Sequence, residues 1–156
     1  MNTINKTLEE LYEEKCSIRS DIYQHLPLLY ELAKECHGGI AEFGVRRVVS
    51  TYALANARPQ KLICVDLVES PEVKGFLEMS KSENINCRFY KADTRLFDLE
   101  DVDFLFIDTL HRYSQLKEEL IRHHRRVHKY IAMHGTVTFG DRDEGTRNQG
   151  PGYASE

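Results

Sequence analysis

Near the N-terminus, apolar residues recur three and four positions apart, the spacing of a helix with one buried face. This pattern predicts one helix over residues 7–17 and a second that begins after Ser20 or Asp21, either of which can cap it. Pro27 should kink or divide the second helix. Residues 37–39 (His-Gly-Gly) should end it, because glycine tolerates the left-handed conformation that closes many helices.

From residue 40 onward, short apolar runs alternate with helical segments. The strands are expected at 40–45, 61–67, 86–91, 103–108 and 129–134, and the helices at 49–57, 71–81 and 113–128. Nearly continuous apolar strands between helices indicate parallel strands that are covered on both faces. Right-handed crossovers then give an α/β fold with an open, doubly wound, mostly parallel Rossmann-like sheet of about five strands. Such a sheet binds ligands at the carboxyl ends of its strands, where the strand order reverses.

The length of 156 residues suits one domain, with helices over 1–38 packed on a core over 39–140. The tail, 141–156, is rich in Gly, Asp and Arg and is expected to be loop or disordered. The net charge of −4 gives no electrostatic case for nucleic acid or membrane partners. The first residues lack the apolar stretch of a signal peptide, and none of the four cysteines forms a C-x-x-C pair. We therefore expect a cytoplasmic protein that acts on a small molecule.

A basic run at 122–129 is the one local feature that suggests nucleic acid. The run falls at the end of the last predicted helix, on the rim opposite the carboxyl ends of the strands. Positive charge there complements the helix dipole. We therefore interpret the run as a solvated helix end.

Five ionisable residues fall at or just past the ends of successive predicted strands. They are Glu42, Asp66, Asp93, Asp108 and His134. One or two such residues would be ordinary helix caps. Five of them along one edge of a sheet favour a ligand site.

The turn after the first strand has one glycine that can bring the backbone close to a ligand, Gly44. The following helix, capped by Ser50 or Thr51, would offer free N–H groups. The dinucleotide pattern G-x-G-x-x-G is absent, because Arg46 and Val49 stand where glycines are required. This departure argues against a nicotinamide cofactor.

Two aspartates on the next strands suit an adenosine. Asp66 lies 22 positions after Gly44, and an acid about 20 positions on can accept hydrogen bonds from ribose hydroxyls. Its alternative role is a cap for the next helix. Asp93 could accept from the exocyclic amine of adenine. A pyrophosphate would demand more glycine or more positive charge than this edge provides.

Taken with their spacing, the motifs at these strand ends are similar to those of one enzyme family. They are Glu-Phe-Gly-Val-Arg at 42–46, Ser50-Thr51, Val-Asp at 65–66, Phe-Ile-Asp-Thr-Leu-His-Arg-Tyr at 106–113 and Tyr-Ile-Ala-Met-His-Gly-Thr at 130–136. The chain resembles class I S-adenosylmethionine-dependent methyltransferases over about residues 20–140, and most closely the branch of cephalosporin-hydroxylase-type and macrocin-type O-methyltransferases. The resemblance implies that S-adenosylmethionine is bound by Glu42, Gly44, Val45, Arg46, Ser50, Asp66, Asp93 and Asp108.

The resemblance also implies a divalent metal at Asp108, but the carboxylate that usually follows the fifth strand is replaced by His134-Gly135. Mg²⁺ prefers several oxygen ligands, so Asp108 alone would hold it poorly. Asp108, His111 and His134 could instead bind a transition metal. Two alternatives stay open. Asp108 could cap the next helix while His111 bonds locally, or one of the two histidines could be a general base for a substrate hydroxyl.

The expected function is S-adenosylmethionine-dependent O-methylation of a small hydroxylated molecule, a sugar or a glycosylated metabolite. Asp108, His111 and His134 are the candidate catalytic residues. The alternative is a degenerate adenosine-binding module without catalysis. The resembling fold continues with two more strands, which residues 141–156 do not supply. A second copy could cover the exposed sheet edge, so a homo-oligomer is also expected.

Overall fold

The computed structural model describes residues 5–145 and Gly152. Its helices are α1 (Leu8–Ser17), α2 (Leu26–Lys34), α3 (Val49–Asn56), α4 (Pro71–Ser82) and α5 (Tyr113–His123). Its strands are β1 (Gly39–Phe43), β2 (Lys61–Asp66), β3 (Cys87–Lys91), β4 (Val102–Ile107) and β5 (Val127–Met133). Short 3-10 turns lie at Tyr23–His25 and His124–Arg126. No helix within these described ranges is long and apolar enough to cross a membrane.

The five strands form one parallel sheet in the order β3-β2-β1-β4-β5, which confirms the expected fold class. The central strand, β1, pairs with β2 on one side and with β4 on the other, so that Ala41 lies between Ile63 and Leu105. Chain order reverses between β1 and β4. The carboxyl ends of these two strands are therefore the place where a doubly wound sheet binds its ligand.

Both faces of the sheet are covered, as the apolar strands require. The N-terminal helices α1 and α2 pack against α3 and bury Leu8, Leu26 and Leu29 on one face. On the other face, Leu116 of α5 packs with the buried residues of the central strands, including Phe43. A capping box at Thr7 starts α1, because its side chain accepts from the Glu10 N–H while the Glu10 carboxylate accepts from the Thr7 N–H.

Pro27 divides the second predicted helix as expected, since it lies in the first turn of α2 after a separate 3-10 turn. The predicted end of that helix is wrong. The helix stops at Lys34, neither glycine of 37–39 is left-handed, and Gly39 already belongs to β1. The Asp103 carboxylate accepts the N–H groups of residues 37 and 38 instead, at 3.1 and 2.7 Å, and so holds the chain against the start of β4.

The last predicted helix is too long in the same way. It ends at His123 rather than at 128, because Val127 pairs with Val102 and begins β5. The basic run is therefore divided among the end of α5, a 3-10 turn and the start of β5. Two of its basic side chains have partners at the surface. Arg126 forms an ion pair with Asp101, and Lys129 donates to the Glu35 carbonyl.

Candidate functional site

Three open cavities adjoin the carboxyl ends of the strands. The central cavity, of about 560 Å³, is lined by residues that follow β1, β2, β3 and β4, among them Gly44, Asp66, Thr94 and Asp108. The turn cavity, of about 510 Å³, lies beside the first turn and is lined by Val45, Arg46, Ser50 and Asp108 among others. The α2–β5 cavity, of about 630 Å³, lies between α2 and β5 and includes His111 and His134. Arg46 lines all three.

Gly44 brings the first turn against the loop after β4. Its φ is +85°, and an added Cβ would lie 2.1 Å from the carbonyl oxygen of Asp108. No other residue fits there without moving the backbone. Gly44 thus lies close to its own chain at the point where strand order reverses, and its approach to a ligand stays a prediction. Two further residues of this turn, Arg46 and Val48, also have positive φ, at 45° and 60°.

Asp66 holds the same turn from the side of β2. One carboxylate oxygen accepts the N–H groups of Val45 and Arg46 at 2.7 and 2.9 Å, and the other accepts the N–H of Val68 at 3.1 Å. It does not cap α4, whose first residue follows Ser70. An ionised carboxylate has roughly four acceptor positions. About one therefore stays available, and Asp66 is among the residues that line the central cavity.

Glu42 lies beneath the turn and is completely buried. The hydroxyl groups of Ser50 and Thr51 donate to its two oxygens. Burial outweighs these hydrogen bonds and raises the pKa of Glu42 to about 8. The predicted capping role of the two hydroxyls is wrong, because α3 begins at Val49 and they turn inward to Glu42. Glu42 lines none of the three cavities, and its contact with a cofactor stays a prediction.

Asp93 follows β3, as predicted, but its carboxylate is engaged. Both oxygens accept from the guanidinium of Arg95, at 3.1 and 2.7 Å, and one also accepts the Arg95 N–H. The side-chain hydrogen bond from Arg95 lowers the pKa of Asp93. Contact between Asp93 and an adenine amine therefore stays a prediction, with Arg95 in competition for the same oxygens.

The structure brings Asp108, His111 and His134 together. One oxygen of Asp108 lies 3.1 Å from His111 Nε2 and 3.1 Å from His134 Nδ1. Burial alone would raise the pKa of Asp108, but the two imidazoles outweigh it and lower that pKa to about 2. The pKa of each histidine is raised. For His134 the main cause is the hydrogen bond to Asp108. For His111, Asp108 and then Glu144 outweigh the effect of burial.

Gly135 explains why no carboxylate follows His134. Its φ is +81°, and an added Cβ would lie 2.6 Å from Cδ2 of the His111 ring. The ring thus occupies the space that a side chain at 135 would need. A side chain at 135 and the present position of the His111 ring therefore exclude each other.

Glu144 lies in the segment expected to be loop, where the sequence pattern gives no sign of a role in the site. Its carboxylate accepts the backbone N–H of His111 at 3.0 Å and lies 3.1 Å from Nδ1 of the same residue. The neighbouring Asp143 accepts the N–H of Tyr113, and this side chain caps α5. Residues 141–145 therefore pack against the site, while 146–151 and 153–156, where the rest of the predicted tail falls, lie outside the described residues.

A buried polar stripe on α5 was also missed. Glu119 is completely buried and accepts from Gln115 at 2.8 Å, from Thr109 at 3.0 Å and from the Thr94 hydroxyl. One turn further on, Nε2 of the buried His123 lies 2.6 Å from the Thr94 carbonyl oxygen. Residues 115, 119 and 123 are four apart, so a polar stripe at helical spacing was the available signal. The stripe ties α5 to the loops after β3 and β4.

Comparison with known proteins identifies the fold. A Staphylococcus aureus protein described as caffeoyl-CoA O-methyltransferase-like superposes with a TM-score of 0.67 at 18% identity, over 97% of this chain and 79% of its own. The S-adenosylhomocysteine-bound methyltransferase PaMTH1 of Podospora anserina gives 0.57 at 14% identity, over 84% and 62%. Coclaurine N-methyltransferase bound to N-methylheliamine and S-adenosylhomocysteine gives 0.56 at 18% identity, over 72% and 34%.

The chain has the Rossmann-like fold of these methyltransferases. At such low identities the similarity extends to the fold alone, and the chain spans less than two thirds of the length of the last two proteins. No protein-family model and no curated protein sequence matches the chain. The macrocin-type branch therefore stays a prediction.

Proposed function

We propose that this chain is an S-adenosylmethionine-dependent methyltransferase that methylates an oxygen of a small hydroxylated molecule. The observation that carries the proposal is the central cavity. It opens at the reversal of strand order, with Gly44 at one side and Asp66 at the edge of β2. Ligands of doubly wound sheets bind at this place.

The residues of this edge fit an adenosine-bearing cofactor. Asp66 keeps about one acceptor position for a ribose hydroxyl beyond its three backbone donors. Two exposed leucines, Leu67 and Leu110, line the same cavity and can cover a flat base. On the far side of Gly44, the turn cavity leads to Ser50 and Asp108, with room for the amino-acid end of the cofactor.

The α2–β5 cavity is the candidate site for the acceptor. It adjoins the central cavity at Arg46, His111 and Glu144, which line both. Most of its remaining wall is apolar, including Leu28, Leu29, Leu32, Phe106, Met133 and Phe139. A free sugar would bury its hydroxyl groups against this wall without partners, which costs free energy. The lining favours a glycosylated metabolite, or another hydroxylated molecule with an apolar face, over a free sugar.

The cofactor supplies a methyl group on a sulfonium ion, and the residues of the site position the acceptor and remove its proton. Positioning of the two reactants would contribute most of the rate. His134 lines the acceptor cavity and is held by Asp108. Hydrogen bonds to the Asp108 carboxylate and to the Asp21 backbone raise its pKa, so its neutral form appears at a higher pH than in a free histidine. We assign proton removal to His134 because it lines the acceptor cavity, with Asp108 as the residue that orients it and the Asp21 backbone as a contact that the acceptor would displace.

A metal remains a second role for the same cluster. Ligand atoms of Asp108, His111 and His134 lie within 4.8 Å of one another. One carboxylate and two imidazoles fit a transition metal better than Mg²⁺, which prefers oxygen ligands. When bound, such an ion would polarise an acceptor hydroxyl. In the described structure the ring nitrogens of His111 face Asp108 and Glu144, so a metal would have to displace one of these contacts.

The contacts of both histidines favour the alternative function, an adenosine-binding module without catalysis, because His134 is also engaged by Asp108 and by the Asp21 backbone. Both ring nitrogens of His111 are within 3.1 Å of carboxylate oxygens, which leaves this residue poorly placed to accept a proton. The cofactor side of the site does not depend on the cluster in this way. Binding without methyl transfer would be the outcome that separates the two functions.

Calorimetry with S-adenosylmethionine and S-adenosylhomocysteine tests the proposal. We expect both to bind. Asp66→Ala should weaken binding at least about tenfold, since it removes a charge-assisted hydrogen bond to the ribose and the support of the first turn. The matched control is Asp98→Ala, an exposed aspartate outside the lining of the three cavities. Absence of binding to either compound at high micromolar concentration would contradict both functions.

A further inference from the structure

The lining of the central cavity contains an amide whose orientation is fixed by the protein. Gln115, in the first turns of α5, is half-buried and lines this cavity together with Thr94 and Leu110. Its Nε2 group donates to Glu119 at 2.8 Å and to the Thr94 hydroxyl at 3.3 Å. The accepting oxygens of Thr94 and Glu119 lie only 2.5 Å apart, so both contacts lie on the same side of the amide nitrogen. The NH₂ group is thus held toward Glu119, and the amide oxygen is the acceptor of this side chain that is left for a ligand.

The buried carboxylate of Glu119 explains why the amide does not turn round. A carboxylate only accepts hydrogen bonds, so it requires the NH₂ group of Gln115 and would repel its oxygen. Hydroxyls of Thr94 and Thr109 donate to the same carboxylate, so three donors converge on its two oxygens. Glu119 is completely buried, which raises its pKa, while the three hydrogen bonds that it accepts lower this pKa. The three donors thus favour the ionised form of Glu119, the form that requires the NH₂ group.

Asp93, the residue expected from the sequence to bind the adenine amine, already accepts hydrogen bonds from the protein. Both oxygens of Asp93 accept from Arg95, which also supplies its backbone N–H. A ligand amine would have to compete with a guanidinium ion for that carboxylate. In the lining of the central cavity the amide oxygen of Gln115 meets no such competitor among the described residues.

We propose that Gln115 determines the base specificity of the site, its amide oxygen accepting a hydrogen bond from the exocyclic amine of adenine. Glu119 is the positioning residue that keeps this oxygen toward the cavity. A base with a 6-oxo group presents an acceptor at the same place, and two acceptors repel each other. The site therefore selects a 6-amino purine. This inference rests on the proposed cofactor and adds a residue that reads its base.

The test compares S-adenosylhomocysteine with its 6-oxo analogue, S-inosylhomocysteine, by calorimetry. The unsubstituted protein should bind the 6-amino compound at least about tenfold more tightly, the effect of one unsatisfied polar contact. Gln115→Met keeps the length of the side chain and removes the amide, so it should bring the two affinities to within about threefold. Gln60→Met is the matched control, because Gln60 lies just before β2, at the end of the strand away from the cavity. This variant should keep the full preference for the 6-amino compound.

Glu119→Gln tests the positioning role with a readout that loss of structure would not give. The new amide no longer requires an NH₂ group from Gln115, so the preference should fall while S-adenosylhomocysteine still binds. An unchanged preference in Gln115→Met, or equal binding of the two compounds by the unsubstituted protein, would overturn the inference and leave the proposed function intact. Binding of neither compound would overturn both. A thermal melt of each variant excludes unfolding as the cause.

Discussion

Two acidic side chains at the ends of neighbouring strands are surrounded in different ways. Glu42, in β1, is bound by two hydroxyl groups and its pKa rises to about 8, since burial outweighs those hydrogen bonds. Asp108, directly after β4, is bound by two imidazoles. They outweigh its burial and lower its pKa to about 2. Hydroxyl groups satisfy a buried acid but do not compensate the loss of hydration of its charge, whereas groups that can become cations do.

This difference divides the site into two regions with different roles. Near neutral pH the Glu42 region is largely uncharged and joins β1 to α3 beneath the first turn. The Asp108 region keeps its charge and faces the turn cavity and the central cavity. The comparison predicts that removing the two acids changes the free energy of unfolding by different amounts and with different pH dependence.

Asp108→Ala should have the largest effect. It leaves two imidazoles without their shared partner in a mostly buried place, and loss of one member of a buried charged cluster costs about 3 kcal/mol. We expect the free energy of unfolding at pH 7, measured by chemical denaturation, to fall by about that amount. Asp108→Asn should cost less because its amide oxygen still accepts one bond.

Asp98→Ala serves as the control here also, and should change stability by less than about 0.5 kcal/mol because Asp98 is exposed. If Asp108→Ala changed stability no more than this control, the two imidazoles would not depend on Asp108, and the contrast with Glu42 would be lost.

Glu42→Gln should have an effect that grows with pH. The folded protein retains the Glu42 proton to about pH 8, whereas the unfolded chain releases it near 4.5. The stability that this group contributes is therefore complete below about pH 4.5 and is lost as pH rises to about 8, by about 1.4 kcal/mol per pH unit. The glutamine side chain cannot ionise. The stability of the variant relative to the unsubstituted protein should therefore increase across this pH range.

Denaturation curves at several pH values between 5 and 8 measure that difference. We expect it to increase by a few kcal/mol in favour of the variant. Glu72→Gln, on the exposed first turn of α4, is the control for removal of a carboxylate without burial. A difference that stayed constant with pH would mean that Glu42 is ionised in the folded protein, like Asp108.

The sequence predicted the sheet well because its signal is local. The three central strands, β1, β2 and β4, are short and mostly apolar runs, and the order of strands and helices leaves few topologies. The cluster of Asp108, His111 and His134 followed from the same logic, since residues after adjacent parallel strands must lie near one another. The sequence thus predicts which residues lie together along the carboxyl edge of the sheet.

The partners of those residues could not be predicted in the same way. Ser50 or Thr51 could cap α3 only if the helix began directly after it. The helix begins at Val49, after the left-handed Val48, so both hydroxyl groups bond Glu42 instead. Glu144 reaches His111 from 33 positions away in a segment without periodic pattern. Spacing alone does not report such long-range contacts.

Glu144→Gln should have the smallest effect and compares two partners of one histidine. The side chain of Glu144 is 43% exposed and that of Asp108 is 10% exposed. Water screens the exposed carboxylate, so the variant should change stability by less than about 0.5 kcal/mol. Asp108 and Glu144 both raise the pKa of His111, so its stabilising charge is complete below pH 6.5 and is lost as pH rises through the folded pKa. NMR titration, with the His111 resonance assigned from His111→Gln, should show a smaller fall in this pKa for Glu144→Gln than for Asp108→Asn. An equal or larger fall would mean that residues 141–145, rather than the residue after β4, control the charge of His111.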